Sequence, residues 1–397
     1  MPDTLTPPLS DAALRDELSA LRRQLHEHPE LGFQEHVTSA AVRGWLRENG
    51  FEVSDPIAET GFYVEVEGTR PGPTVAYRAD MDALPIQEAT DAPYASKTPG
   101  VMHACGHDAH MTIACGVALL ARERRDTFAG TVRVFFQPNE ESTPSGAPVM
   151  IRNGILDGVD AVYAIHVDPS LSVGRVGLRV GSITAATSPF LVTVATGHSG
   201  HSARPHESVD TIWVATQIMN ELYQLVGRVT DARRSAVLTI CRFLGGDALN
   251  VIPPSVEFGG TLRCSDIETL TFLREKIRRV SGALGAVYNA DVDVDYEHLL
   301  PAVVNTADGI ATARESITEL YGPEAIVDLA LPSMGGEDFA YYLQRVPGAM
   351  LRVGSAGGPA TRYPLHHARF DLDESALPFA ARLMADVCLR DLARRAA

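Results

Sequence analysis

Cysteine is scarce in this chain of 397 residues: there are five, at positions 105, 115, 241, 264 and 388. An odd number spread so widely argues against a disulfide framework and for a reducing compartment, the cytoplasm. Basic charge is short as well. Thirty-four Lys and Arg stand against fifty Asp and Glu, a net charge of −16, which opposes nonspecific binding to nucleic acid or to an anionic membrane. No apolar run approaches the roughly 18 residues of a membrane span. The first residues, with Pro2, Asp3, Pro7, Pro8 and Asp11, show neither the basic nor the apolar stretch of a secretory leader. Internal repeats and low-complexity segments are missing. Gly197-His198-Ser199-Gly200-His201-Ser202 has neither the G-x-G-x-x-G spacing nor the Lys-Ser/Thr of a phosphate-binding loop, so nucleotide binding is not expected.

What is present is ample apolar material, 45% of the chain, enough for two domains or for one large domain with an insertion. Leu14, Leu18, Leu21 and Leu25 recur at helical spacing and predict an amphipathic helix that Pro29 ends. A second helix is expected over 35–48, stopped by Asn49-Gly50. Strands are expected over 64–67, 74–77, 131–136 and 161–167, with helices over 108–123 and 148–153 between them. This alternation predicts an α/β domain whose mixed, largely parallel sheet is flanked by helices. From about residue 182 the texture changes. Strands over 190–194, 237–240, 256–262 and 292–296, with helices over 210–226 and 267–284, predict a smaller α+β domain inserted into the first. The expected division is therefore 1–184, 185–295 and 296–397.

His103-Ala104-Cys105-Gly106-His107-Asp108-Ala109-His110 packs three imidazoles, a thiol and a carboxylate into one short segment. These are ligand types of zinc and its neighbours. Cys105 and His107 flank a glycine just ahead of a helix, so both could converge on one ion; His107 and His110 are the competing pair. The adjacent Glu140-Glu141 follows the strand over 131–136 and Pro138. Neighbouring side chains point apart, so one glutamate could hold metal while the other moves protons. Asp80 and Asp82 end another strand and could ligate metal or orient a ligand imidazole. His166 also ends a strand, whereas His366-His367 lies far along the chain. In α/β sheets ligands bind beyond the carboxyl ends of the strands, which is where these groups fall. Arg263 is of a type that clamps a carboxylate. Cys–His nucleophilic catalysis is the other chemistry open to the segment, and the neighbouring glutamates favour metal.

Taken in order, His26-Glu27-His28-Pro29-Glu30-Leu31, residues 78–85, 103–110, 137–141, 200–206, 245–253 and 260–263, Gly335-Gly336-Glu337-Asp338-Phe339 and Phe370-Asp371-Leu372-Asp373-Glu374 resemble one family along nearly the whole chain. It is that of the co-catalytic metallo-amidohydrolases related to aminoacylase and carboxypeptidase G, with a zinc-exopeptidase-like fold. The branch resembled holds hippurate hydrolase, N-acyl-amino-acid amidohydrolases and the plant auxin-conjugate hydrolases. The resemblance implies two divalent ions per subunit, zinc by default with manganese, cobalt or nickel also suited. Cys105 would bridge them, and His107, Glu141, His166 and His366 would complete their shells. Glu140 matches the general acid/base, and His201 a histidine that reaches the partner subunit's site in a homodimer. Asn250 and Arg263 match groups that engage the substrate carboxylate or backbone. The inserted domain would serve as dimerisation or lid domain.

Three departures from the family pattern stand out. Asn139 replaces a commoner alanine. His366-His367-Ala368 replaces His-Ser-Pro, leaving either histidine of the pair to ligate. Arg78 stands where more distant relatives place a metal histidine. The implied activity is hydrolysis of N-acyl amino acids to a carboxylic acid and an amino acid. The runner-up is a dipeptidase or carboxypeptidase using the same site; a non-catalytic metal-binding protein would have no use for Glu140.

Overall fold

Leu14, Leu18, Leu21 and Leu25 are all buried, on the helix Asp11–Glu27 that their spacing predicts. The computed structural model describes residues 11–396; Pro2, Asp3, Pro7 and Pro8, read above for a leader, lie outside them. The chain divides into two compact units. One runs up to Gly181 and resumes with Val304–Leu331 and from Asp338; the other comprises Ser182–Val303 and Pro332–Glu337.

The larger unit is built on a seven-stranded sheet. Its order is Phe62–Glu67, Ala129–Gln137, Arg70–Asp80, Ala161–Ser172, Gly348–Ala356, Val176–Leu178 and Ile326–Asp328. The four strands from Ala129–Gln137 to Gly348–Ala356 run parallel, while Phe62–Glu67 and Val176–Leu178 join them antiparallel. The sheet is thus mixed and largely parallel. Helices Asp11–Glu27, His107–Glu123 and Ala376–Ala396 pack with it around one apolar core that includes Leu18, Val117, Tyr77, Tyr163 and Leu383. His107–Glu123 is buried along nearly its whole length, because it lies between the sheet and other helices rather than at the surface.

The smaller unit is an antiparallel sheet in the order Asp291–Asp295, Ala186–Ala195, Ser255–Cys264, Ala236–Leu244. Helices Thr211–Val229 and Ile267–Val287 supply Val214, Ile218, Leu222, Leu270, Leu273 and Ile277 to its core. Asp210 and Asp266 cap these two helices, their carboxylates accepting the N–H of Trp213 and of Thr269, which satisfies donors the first turn leaves unpaired. The two edges of this sheet differ. Asp291, Asp293 and Asp295 are exposed on one; Val237, Phe243 and Leu244 are exposed on the other. Among the described residues no helix is long and apolar enough to cross a membrane.

Candidate metal centre

Strand ends in the larger unit bring the chemistry together. The strand Arg70–Asp80 leads into Asp82, Ala129–Gln137 into Glu140 and Glu141, and Ala161–Ser172 carries His166. Cys105 and His107 arrive on the turn before helix His107–Glu123. That turn is left-handed at Gly106 (φ 83°), a conformation that favours glycine; a Cβ there would also meet Val167 at 2.5 Å.

The hydrogen bonds sort the four buried histidines of this region. His166 donates Nδ1–H to the carbonyl of Val167 at 2.8 Å, and its Nε2 faces Cys105 Sγ at 3.4 Å. His107 donates Nδ1–H to the carbonyl of Asp82 at 2.8 Å, leaving Nε2 buried with no hydrogen-bond partner, 3.9 Å from Glu141 Oε1. Both rings thus turn one nitrogen toward the same place. His110 does not. Its Nδ1 meets Asp80 at 2.7 Å and its Nε2 accepts the Val167 N–H at 3.1 Å, so both nitrogens are occupied and His107 alone of the competing pair has one to offer. His103 is buried with neither nitrogen paired, and burial lowers it to about 4.

The distant histidine pair also resolves. His366 Nε2 lies 3.3 Å from Glu141 Oε1, whereas His367 Nδ1 accepts the Arg369 N–H and its ring stacks on Tyr363 at 4.8 Å. Two donor triads result, Cys105/His107/His166 and Cys105/Glu141/His366, each with its ligand atoms within 4.8 Å of one another. They share Cys105. Glu140 groups with His107 and Glu141 and accepts the Asp338 N–H at 3.3 Å.

The electrostatics fit a cation and disfavour a cysteine nucleophile. Burial, with Glu141 and Glu140 beside it, pushes the Cys105 thiol well up, when a nucleophile needs it lowered. Burial, with Arg352 and His110, holds His166 well below its usual range. His107 rises to about 10: burial opposes this, but Asp80, Asp82 and Glu141 overcome it. The carboxylates around His107 therefore outweigh the positive charge that the chain itself supplies. His107 Nε2 and Glu141 Oε1, buried without a hydrogen bond, with a thiol and imidazoles, are a donor set suited to zinc and similar divalent ions.

Behind the donors lies a layer of closed polar contacts. Asp80 accepts from Arg78 at 2.6 Å as well as contacting His110; burial opposes its ionisation, but His107, Arg78 and His110 hold it well below the carboxylate range. Asp80 is thus fully engaged by side chains behind the donors. Arg78 also bonds Gln137 at 2.9 Å and Asp338 at 2.8 Å. Asp82 accepts the Glu141 N–H at 2.9 Å, and buried Glu35 accepts the Asn139 N–H at 2.9 Å and the Thr60 hydroxyl at 2.8 Å. The residues on either side of Glu140 therefore each donate a backbone N–H to a carboxylate. Asn139 adopts φ 51°, which asparagine tolerates better than alanine, and donates to the Pro144 carbonyl at 2.8 Å. Sequence reasoning missed Glu35, because nothing in its neighbourhood marks it as a tether for a loop about a hundred residues away.

The remaining candidates belong to the smaller unit. His201 and Val251 pair across a short antiparallel ladder, and the Ser202 N–H bonds the Asn250 carbonyl at 3.2 Å, which places His201 beside Asn250. Both are exposed, and His201 Nδ1 accepts the Ala203 N–H at 3.1 Å. Arg263, half-buried, donates to the Met334 carbonyl at 2.7 Å.

Known proteins resemble this chain along nearly its whole length. The family model "Peptidase family M20/M25/M40" matches residues 76–390. N-acetylcysteine deacetylase of Bacillus subtilis is 39% identical over 96% of this chain and 98% of its own length. The Arabidopsis thaliana IAA-amino acid hydrolase ILR1-like 2 is 37% identical over 96% and 86%. The crystal structure of the Bacillus subtilis YXEP protein, described as a dinuclear metal binding peptidase from the M20 family, superposes with a TM-score of 0.85 at 37% identity, covering 97% of this chain and 99% of that one.

Proposed function

Since the chain belongs to the M20/M25/M40 peptidase family and is a metal-dependent amidohydrolase, we propose that it cleaves the amide bond of N-acyl amino acids, acetyl, benzoyl or similar, on two divalent ions. Cys105, His107, Glu141, His166 and His366 would hold the ions, Cys105 being the thiol common to the two donor triads. The observation that carries the reading is the pair of donor triads sharing one thiol, with a second glutamate beside them.

Ions bound there supply Lewis acidity and bring the pKa of water toward neutrality. Glu140 takes the proton of the attacking water and hands it to the departing amine. Its tethers at Glu35, Asp82 and Asp338 hold it in register for both transfers. Asn250 and Arg263 take the substrate's carboxylate end. The enzyme works as a homodimer, in which His201 of one copy donates to the oxyanion forming in the other. The strand edge Ala236–Leu244 supports the pairing, since it exposes apolar side chains and carries no acid, while the aspartates of the opposite edge discourage pairing there. Five unpaired cysteines suit the cytoplasm.

The test compares hydrolysis of N-acetyl and N-benzoyl amino acids with that of dipeptides, with elemental analysis of the same sample. Faster turnover of dipeptides would replace this reading with a peptidase. Glu140→Gln should lower kcat at least about a hundredfold with metal content unchanged; undiminished turnover would remove Glu140 from its role. Mixing the inactive Glu140→Gln and His201→Ala variants should restore partial activity through hybrid dimers. No recovery in isolated hybrids would mean that each site is complete within one copy.

A further inference from the structure

Arg352 sits on the strand Gly348–Ala356, in register with His166 on the neighbouring strand and with Gly177 on the other side. Residues paired across a parallel ladder leave the sheet on the same face, with backbones roughly 5 Å apart. Ala349, Leu351 and Val353 enter the helix-covered core, so Arg352 projects from the opposite face together with His166. Gly177 leaves room for it: a Cβ there would lie 3.1 Å from that of Arg352.

The side chain is unusual among the buried arginines of this fold. Arg22 meets Asp108, Asp371 and Glu374, and Arg78 meets Asp80 and Asp338. Arg352 is only 9% exposed, yet no described residue gives it a side-chain hydrogen bond or an ion pair. A buried guanidinium without a counter-charge is costly, and next to a cation site the cost rises. Its nitrogens are not fully enclosed, so the guanidinium keeps some contact with solvent. A fork of guanidinium donors is matched by a carboxylate.

We propose that Arg352 is an anion subsite of the larger unit that selects N-acyl amino acids bearing a second carboxylate. This rests on the amidohydrolase reading above, in which Arg263 and Asn250 already take the first. The second carboxylate comes either from the acyl group, as in a succinyl amide, or from an acidic side chain on the amino acid.

The experiment compares wild type with Arg352→Met and Arg352→Lys at equal metal content. N-succinyl-alanine is measured against N-butyryl-alanine, and N-acetyl-glutamate against N-acetyl-glutamine. One dianionic substrate should exceed its neutral counterpart in kcat/KM at least about tenfold, a margin expected of a charge-assisted pair. Which of them does so identifies the source of the carboxylate. The preference should collapse in Arg352→Met and survive in part in Arg352→Lys. Calorimetry with succinate, independent of turnover, should show binding at least about tenfold weaker in Arg352→Met. Hydrolysis indifferent to the second carboxylate, with unchanged succinate affinity, overturns the subsite and leaves the amidohydrolase standing. Loss of succinate binding in Arg352→Met, with no amide hydrolysed by wild type, does the reverse.

Discussion

The two units bury different things. The larger one encloses Arg22, His26, Glu35, Arg78, Asp80, Asp82, His103, His107, Asp108, His110, His166 and Asp338. The smaller one, Glu337 aside, encloses only hydroxyls among its buried polar residues: Thr184, Thr187, Ser188, Thr211, Thr269 and Ser281. A buried charge is costly unless it is paired and hydrogen-bonded, so a unit that encloses so many titratable groups is one whose interior is arranged for chemistry. The smaller unit instead follows ordinary apolar packing, and its candidate residues, His201 and Asn250, stand at the surface. Within the larger unit the same logic separates supporting groups from working ones. Asp80, Arg78 and His110 have their polar atoms engaged in hydrogen bonds, whereas His107 Nε2 and Glu141 Oε1 make only ion-pair contacts with other members of the centre.

The strongest way to break this comparison is Asp108→Ala. Asp108 accepts from Arg22 and meets His26, both at 2.8 Å, and its loss removes the fully buried counter-charge that these two cations share. Stability should fall by about 3–5 kcal/mol in urea unfolding; a loss below 1 kcal/mol would mean that the network is not structural. Leu273→Ala, in the apolar core of the smaller unit, should cost about 2–5 kcal/mol without altering metal content. Metal loss in that variant would erase the division of labour between the units. Glu141→Ala should lower metal content and weaken the thermal stabilisation by added zinc, a gain of about 2.7 kcal/mol at a hundredfold excess over Kd in the wild type. Full stoichiometry by elemental analysis would refute its ligand role.

The smallest effect is one of pH. Burial opposes protonation of His26, but Asp108 and Glu88 raise it to about 9, above the unfolded value of about 6.5. The stabilisation it brings is therefore complete below about pH 6.5 and fades as pH rises through 9. His26→Gln should flatten that part of the stability–pH curve; an unchanged slope would assign it to another group.

Much of this was legible in the sequence, for reasons that can be stated. Helix Asp11–Glu27 was readable because its buried stripe has the helical period, and the strands leading to Asp80 and Glu140 because turn signals bound them. Strand Gly348–Ala356 gave no such signal. All nine of its residues are buried, so it lacks the alternation of a half-exposed strand. Ala161–Ser172 runs five residues past the expected end, through Pro169, because its far end pairs Ser172 with Ala356. At the centre, the types of the donors were legible and their orientation was not. His107 and His110 look equivalent at a spacing of three, and only the Val167 N–H, supplied by another strand, separates them. Glu35 and Arg352 were invisible for a similar reason, since their meaning depends on residues brought near only by folding.

The sharing of Cys105 also sets an order of events during synthesis. Cys105, His107 and His166 have all been translated once residue 166 is made, but the second triad waits for His366. Two hundred residues separate His166 from His366, including the whole inserted stretch Ser182–Val303. At about 5–20 residues per second that is a delay of roughly 10–40 s. A nascent chain on the ribosome can thus present one complete triad while the other lacks its last member, and the pair of triads becomes a property of the finished polypeptide alone.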